Sequence, residues 1–199
     1  TTSVALFLTG HLGRLRAAAA GSPLELVNTR TTLSLAQRDA EIALRMRRPP
    51  ASGDIAVRRL GRVAVALYAS RALLDGHGAA PTLARLAFVG LRADARSRQS
   101  AWLDRIAAGA PMPLRLGDLP LRLEAVRQGH GASLLPCFLG DREPGLRRLL
   151  PPPPELVEDV FLLVHADLKG LPPVRAVAQA LAELFRAEAG ALAGTLQAA

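Results

Sequence analysis

The sequence predicts an α/β protein made of two Rossmann-like lobes joined by two hinge crossings of the chain. Half of the 199 residues are apolar and only 4% are aromatic, so the chain can bury a large aliphatic core. Short strand-like patterns alternate with helical patterns, which is typical of parallel sheets covered by helices on both faces. The alternation occurs in two sets, separated at 68–82 and rejoined near 157–166. We therefore expect a first lobe of 1–68 and 159–199, and a second lobe of 69–158.

The first lobe opens with a helix predicted from Ser3 to about Ala20, because leucines recur there at near-helical spacing. Thr1, Thr2 and Ser3 are of the residue types that cap helix N-termini. The elements predicted after it are a strand at 24–27, a polar turn at 28–32, a short helix at 33–38, a buried strand at 40–46, and two strands at 55–60 and 63–68 around Gly61.

The second lobe repeats the alternation of strands and helices. Its predicted elements are a strand at 86–89 before Gly90, a polar loop at 92–98, a helix through 101–106, a strand at 112–116, a helix from Pro120 to Gln128, and a strand at 132–136. The chain returns through a strand at 157–165. A helix starting near Pro172 then places Val174, Val177, Leu181 and Leu184 on one face. We expect the tail after Gly190 to be frayed.

The net charge of +8 raises the question whether the chain itself binds nucleic acid. Its basic residues are scattered along the whole sequence, and Lys169 is the only lysine. Aromatic residues that could stack on bases are scarce, and no RNA-recognition or zinc-finger pattern is present. The pattern favours a solvated basic surface over a nucleic-acid interface. The surplus of arginines favours a carboxylate or another anion as ligand.

Sequence motifs of catalysis, metal binding and membrane insertion are missing. There is no G-x-S-x-G elbow, no P-loop and no G-x-G-x-x-G after the first strand, so we expect neither an enzyme nor a cofactor. His11, His77, His130 and His165 show no metal-ligand spacing. Cys137 is the only cysteine and is expected to be structural. No apolar run reaches the roughly 18 residues of a membrane span, and no signal peptide is recognisable.

Several segments resemble the effector-binding domain of LysR-type transcriptional regulators. LELVNTRTTLSLAQRDAEIALRM, followed by RRLGRVAVALYASRALL, is similar to the first half of that domain, with a hinge strand ending in Tyr-Ala-Ser. EAVRQGHGASLLPCFLGDREPGLRRLLP resembles the family's V-x-x-G-x-G segment, and VFLLVHADLKGLPPVRAVAQALAELF resembles its return strand and closing helix. The order and spacing of these motifs cover nearly the whole chain. The resemblance implies a type 2 periplasmic-binding-protein-like fold.

The resemblance also implies an effector site at loops that face the cleft between the lobes. The expected effector-binding residues are Thr1, Thr2, Ser3, Thr29, Thr31, Gly90, Arg98, Gln99, Ser100, Gly117 and Asp118. A helix N-terminus favours an anion, and Arg92, Arg96 and Arg98 could each pair with one through two hydrogen bonds. Simple helix capping, a polar turn and solvated surface arginines are the alternative explanations of these residues.

The resemblance further implies a cytoplasmic regulatory domain in which a small-molecule effector shifts the population of lobe arrangements. It implies homodimers in which the first helix of one subunit lies against the second lobe of the other, and tetramers of the full-length protein. DNA would be bound only through an N-terminal winged helix-turn-helix, and no membrane would be involved. The alternative is a periplasmic-type solute-binding protein. An enzyme on the same fold is a third hypothesis, disfavoured by the missing catalytic motifs.

Three features depart from the family pattern. The winged helix-turn-helix and the first strand of the effector domain are expected before Thr1 and are absent from this sequence, and Glu41 stands where the family has an aspartate. A missing strand would leave an exposed slot in the first lobe.

Overall fold

The computed structural model describes residues 2–29, 35, 39–46, 54–77, 82–92 and 97–195. Its contacts divide the chain into two compact units. Unit 1 comprises Thr1–Val63 and Glu158–Leu192, and unit 2 comprises Ala64–Val157 and the chain end from Ala193. The chain thus passes from one unit to the other after residue 63, after residue 157 and again after residue 192.

Helices and strands are mixed along the described residues. The helices are α1 (Thr2–Thr9), α2 (Leu12–Ala18), α3 (Arg71–Asp75), α4 (Arg98–Ile106), α5 (Leu119–Arg127), α6 (Cys137–Gly140), α7 (Pro172–Ala187) and α8 (Ala189–Ala193), with 3-10 turns at Leu83–Arg85 and Pro154–Leu156. The strands are β1 (Ile42–Arg45), β2 (Ile55–Ser70), β3 (Val89–Gly90), β4 (Leu114–Arg115), β5 (Ser133–Pro136), β6 (Leu146–Arg148) and β7 (Val157–His165).

The first helix predicted from the sequence is interrupted in unit 1. α1 ends at Thr9, and the chain turns at Gly10 and His11 before α2 begins. The N–H of His11 bonds to the carbonyl of Leu8 at 2.9 Å, which closes this turn. Glycine is a poor helix former, which explains the break at Gly10. The spacing of the leucines alone indicated one continuous helix.

The segment at 24–27 belongs to no strand, so the strand predicted there is wrong. Leu24, Leu26 and Val27 expose 38%, 42% and 55% of their surface. A period-2 pattern describes side-chain directions only, and a strand also needs a neighbour with which to exchange backbone hydrogen bonds. The helix predicted at 33–38, apart from Leu35, and most of the turn predicted at 28–32 lie outside the described residues.

A single 16-residue strand, β2, replaces the two strands predicted around Gly61. A Cβ on Gly61 would lie 3.6 Å from the ring of Phe185, which is ordinary contact distance, so the glycine lies beside the ring without ending the strand. β2 is fully buried from Val63 to Ser70, and of these residues all but Val63 belong to unit 2. The chain therefore leaves unit 1 and enters unit 2 along one continuous strand.

Most of the strand pairs are antiparallel, contrary to the parallel sheets expected from the alternating pattern. β1 pairs antiparallel with β7, and β2 pairs antiparallel with both β5 and β6. Parallel pairing is found between β3 and β4 and at the bridge from Phe88 to Ala132. The alternation rule describes βα units, whereas β2 and β7 are the strands on which the chain passes between the units.

The core of unit 1 forms where α1 and α2 pack against α7. The rings of Phe7 and Phe185 meet edge to face with centroids 5.1 Å apart. α7 buries the predicted apolar face, including Val174, Val177 and Leu181. Aromatic edge-to-face pairs add to the stabilisation that comes from burying the rings.

The core of unit 2 surrounds the two short parallel strands. Its buried members include Leu67, Phe88, Trp102, Leu103 and Leu134. β5 is completely buried between β2 and the bridge at Phe88. This packing fixes β3 and β4, and with them the loops that follow their carboxyl ends.

A buried polar cluster holds the described residues after Gly190, so the expectation of fraying is wrong for residues 191–195, while residues 196–199 lie outside the described part of the chain. α8 buries Leu192, and the carbonyl of Gly194 accepts a hydrogen bond from Arg148 Nη1 at 2.7 Å. Arg148 forms an ion pair with Asp141, whose Oδ1 also accepts a 2.7 Å bond from the hydroxyl of Tyr68. The tail has few strong apolar residues, so its sequence gave no sign of this polar attachment.

Tyr68 should resist ionisation for as long as the protein is folded. Its side chain is fully buried, and burial raises the pKa of its hydroxyl far above the ordinary value. Because the unfolded tyrosine ionises near pH 10, its contribution to stability is complete below about pH 10 and is lost as the pH rises further. Tyr68 is the only tyrosine in the sequence, so tyrosinate absorbance measures it alone.

The measurement is an alkaline titration that follows tyrosinate absorbance and circular dichroism on the same sample. We expect the two signals to change together, with unfolding. A control in urea should titrate near pH 10. Reversible ionisation near pH 10 with the secondary structure intact would contradict the buried position of Tyr68.

Candidate functional site

The structure brings two of the predicted site loops of unit 1 together. Thr2 is the first residue of α1, and its Oγ1 accepts a 3.4 Å hydrogen bond from the side-chain amide of Asn28. Ser3 lies in the first turn of α1, and Thr29 follows Asn28 and is half-buried. The first turn of α1 contains no acidic residue, so its N–H groups keep their preference for an anion. Thr1 and Thr31, which were predicted to bind the effector, lie outside the described residues.

In unit 2 the predicted residues Gly90 and Gly117 lie at one edge of the small parallel sheet. Gly90 ends β3 beside Arg115, which ends β4, and the N–H of Leu116 bonds to the Gly90 carbonyl at 2.9 Å. Both strands therefore present their carboxyl ends and the following loops at the same place, where α/β proteins commonly bind ligands.

Side chains crowd the faces of both glycines. A Cβ on Gly90 would lie 2.5 Å from Met112 Sδ and 3.1 Å from Arg115 Cγ. A Cβ on Gly117 would lie 2.7 Å from Arg92 Cδ. The two glycines thus have no side chains of their own at this edge. The aliphatic parts of the Arg115 and Arg92 side chains occupy the space beside them.

The predicted residues Arg98, Gln99 and Ser100 form the first turn of α4. Ser97 caps this helix, because its Oγ accepts the N–H of Ser100 at 3.1 Å. The hydroxyl of Ser100 is buried and donates to Asp104 Oδ2 at 3.4 Å, and Asp104 also pairs with Arg115 at 3.2 Å. The Ser100 hydroxyl is therefore engaged within its own helix, whereas Arg98 is exposed. Arg96 lies outside the described residues.

Arg122 is a residue of this region that the sequence analysis missed. Only 6% of its surface is exposed, and its Nη1 lies 3.2 Å from both the Leu116 and the Gly117 carbonyl oxygens. Its Nε is buried without a hydrogen-bond partner. Burial lowers the pKa of its guanidinium and outweighs the opposite effect of Asp118.

The signal for Arg122 was present in the helical spacing. Arg122 follows Leu119 by three positions and precedes Val126 by four, so it falls on the buried face of α5. An arginine on such a face needs polar partners inside the protein. Here the partners are two carbonyl groups of the loop that leads into the helix.

Other classes of site find no support in the part of the chain that the structure describes. Those residues contain no group of three or more His, Cys, Asp or Glu side chains placed to hold a metal ion. Cys137 is buried against the Tyr68 cluster, and burial raises the pKa of its thiol. Among the same residues, no helix is long and apolar enough to cross a membrane.

Comparison with solved structures shows a shared fold. The regulatory domain of CrgA, a LysR-type transcriptional regulator from Neisseria meningitidis, matches with a TM-score of 0.71 at 21% identity, over 92% of this chain and 94% of that one. The effector domain of the transcriptional regulator AmpR of Pseudomonas aeruginosa matches with a TM-score of 0.64 at 20% identity, over 95% and 93% of the two chains.

A full-length regulator is also similar in structure. LysG from Corynebacterium glutamicum with bound effector Arg matches with a TM-score of 0.54 at 16% identity, over 75% of this chain and 52% of LysG. The present chain thus spans about half the length of that full-length protein. A comparison with curated protein sequences gives no match.

The sequence itself carries the family assignment. The profile of the LysR substrate binding domain matches residues 1–186. This match confirms the resemblance drawn from the motifs, together with the predicted α/β, type 2 periplasmic-binding-protein-like fold class. It favours the regulator over the solute-binding protein. The chain belongs to the LysR substrate-binding domain family, the effector-binding domains of LysR-type transcriptional regulators.

Proposed function

We propose that this effector-binding domain recognises its small molecule through the loop residues described above: Thr2, Ser3 and Thr29 in unit 1, and Gly90, Arg98, Gln99, Gly117 and Asp118 in unit 2. Thr1, Thr31 and Ser100 belong to the same proposal as neighbours of these residues. The main support is the edge at Gly90 and Gly117, where the carboxyl ends of β3 and β4 adjoin. Loops that follow the carboxyl ends of strands are where α/β proteins commonly bind ligands.

The role of the whole protein is part of the same proposal. Effector binding would change the population of conformations of paired subunits and so alter how a DNA-binding domain elsewhere in the regulator meets its operator. The proposal includes homodimers of this domain and tetramers of the full-length protein. It also includes action in the cytoplasm, because the target DNA is there. The proposed activity is binding and not catalysis.

The proposal is tested by thermal unfolding of this chain against a library of small metabolites that includes carboxylates, amines and neutral compounds. A ligand that binds only the folded protein stabilises it by about 2.7 kcal/mol at a hundredfold excess over Kd. We expect at least one specific ligand, and an affinity loss of tenfold or more in Gly117→Ala. A Cβ there displaces only the flexible side chain of Arg92, so this variant should fold.

Gly145→Ala is the matched control, because a Cβ on Gly145 meets nothing within 4 Å. It should bind every ligand as the parent does. A ligand whose affinity is unchanged in Gly117→Ala and in Thr2→Val would place its site away from these loops. Tight binding of a common nutrient by a monomer would favour the solute-binding alternative.

A further inference from the structure

The chain passes between the two units three times, and the third passage differs from the other two. The first two passages run along β2 and β7, which are neighbouring strands of one sheet. The third lies at the end of α8, because Leu192 belongs to unit 1 and Ala193 to unit 2. After this passage the structure describes only residues 193–195, which we call the clasp.

The clasp is attached to unit 2 at Gly194, which is buried. The carbonyl of Gly194 accepts a 2.7 Å hydrogen bond from Arg148 Nη1. Gly194 has a φ of +68°, and a Cβ there would lie 2.7 Å from Cys137 Sγ and 3.3 Å from Pro152 Cγ. Glycine adopts this backbone conformation without strain and has no side chain to meet the buried sulfur. Both the turn and the close approach therefore depend on glycine at this position.

The groups that hold the clasp are also bonded to one another. Arg148 forms an ion pair with Asp141, and the hydroxyl of Tyr68 bonds to both of them. These contacts lie within unit 2 and do not involve the clasp. Release of Gly194 would thus break its bond to Arg148 while the ion pair remains. Segments held by few contacts open at a lower free-energy cost than the protein as a whole.

Release of the clasp would leave a measurable trace on Cys137. The side chain of Cys137 is 0% exposed, and the backbone of Gly194 lies against its sulfur. Cys137 is the only cysteine in the sequence. Its reaction with a thiol reagent therefore reports the exposure of this one sulfur atom.

We propose that residues 193–195 form a releasable clasp, which opens while both units stay folded and thereby detaches the third passage of the chain from unit 2. An open clasp leaves the units joined only through β2 and β7. In a domain that responds to its effector by a shift of conformations, the closed clasp would favour one conformation and its release would permit others. This regulatory consequence rests on the proposed function, whereas the opening of the clasp does not.

The test measures how fast Cys137 in the 199-residue chain reacts with an aromatic disulfide that releases a coloured thiolate. The reaction is followed at increasing concentrations of urea below the unfolding transition. Opening of the clasp exposes little surface, so its rate should depend weakly on urea, whereas global unfolding depends on urea steeply. We expect the weak dependence. A rate that follows global unfolding at every urea concentration would overturn the inference.

Gly194→Ala should raise the reaction rate in the absence of urea tenfold or more, because its Cβ does not fit beside Cys137. Gly109→Ala is the matched control. Gly109 also lies in unit 2 and has a φ of +81°, but a Cβ there meets nothing within 4 Å. It adds the same kind of backbone strain away from the clasp, so its rate should stay within twofold of the parent.

Hydrogen exchange then shows whether the clasp itself has opened. The N–H of Leu192 bonds to the Glu188 carbonyl at 2.9 Å in α8. In Gly194→Ala we expect faster exchange at Leu192 and in the clasp, with the amides of α7 at their parent rates. If this variant does not fold, a chain that ends after Leu192 takes its place and should react at Cys137 equally fast.

Two further results would contradict the clasp: unchanged reactivity of Cys137 in a folded Gly194→Ala variant, or equal acceleration in Gly109→Ala. Neither measurement needs an effector, so both are distinct from the metabolite library. A clasp that opens in a protein without any library ligand would count against the proposed function alone. A library ligand together with a clasp that opens only on global unfolding would count against the clasp alone.

Discussion

Arg148→Met should lower the free energy of unfolding by about 3–5 kcal/mol, as is typical when one partner of a buried ion pair is removed. The side chains of Arg148 and Asp141 are only 10% and 15% exposed, so the substitution leaves the Asp141 carboxylate buried without its cation. It also removes the hydrogen bond to the Gly194 carbonyl and the 3.2 Å bond to the Tyr68 hydroxyl. Chemical denaturation of the variant and parent measures the difference.

Arg127→Met is the matched control for this prediction. Arg127 also forms ion pairs with carboxylates, those of Glu143 and Glu124, but its side chain is 43% exposed. Exposed pairs contribute about 0.2–1 kcal/mol, so the control should lose less than about 1 kcal/mol. A double variant, Arg148→Met with Asp141→Asn, should recover part of the lost stability because it no longer buries a lone charge. Equal losses in Arg148→Met and Arg127→Met would contradict a buried cluster.

Gly131→Ala should lower the free energy of unfolding by about 3 kcal/mol or more. Gly131 has a φ of +154°, a region that residues with a side chain rarely adopt, and such strain costs about 1–3 kcal/mol. A Cβ there would also lie 2.8 Å from the Ala87 carbonyl oxygen and 2.9 Å from the Phe88 carbonyl carbon. These are backbone atoms of the chain entering β3, which cannot move aside as a side chain can, and overpacking adds about 1–3 kcal/mol.

Gly145→Ala is again the control for Gly131→Ala, since a Cβ on Gly145 meets nothing within 4 Å. Its free energy of unfolding should stay within about 0.5 kcal/mol of the parent, as for most surface substitutions. Normal stability of Gly131→Ala would show that the chain does not pass this close to Ala87. The same variant should also shift β3, so loss of ligand binding is expected alongside the loss of stability.

The sequence predicted the strongly patterned elements and missed those that depend on distant partners. The apolar face of α7 was readable because its residues recur at a helical period, and β5 and β7 were readable because they contain short apolar runs. The segment at 24–27 has the pattern of a strand but forms none. The antiparallel pairing of β2 could not be read because its partners, β5 and β6, lie more than sixty residues along the chain.

The candidate site likewise contains residues that were predicted from the sequence and one that was missed. Gly90 and Gly117 were found because loops after strands are where such folds bind ligands, and the structure does bring these two glycines to one edge. Arg122 was missed because its role depends on the carbonyl groups to which it bonds and not on its residue type. The Arg148 cluster joins residues 46, 73 and 80 positions apart, a distance at which no local pattern operates.

The placement of the rare aromatic residues has a practical consequence for spectroscopy. The chain contains one tryptophan and one tyrosine, and both Trp102 and Tyr68 are buried within the range Ala64–Val157. Fluorescence and near-ultraviolet signals from these two residues therefore arise from one unit only, while backbone circular dichroism arises from both. Comparing the two signals during denaturation distinguishes loss of unit 2 from loss of unit 1 without any introduced label.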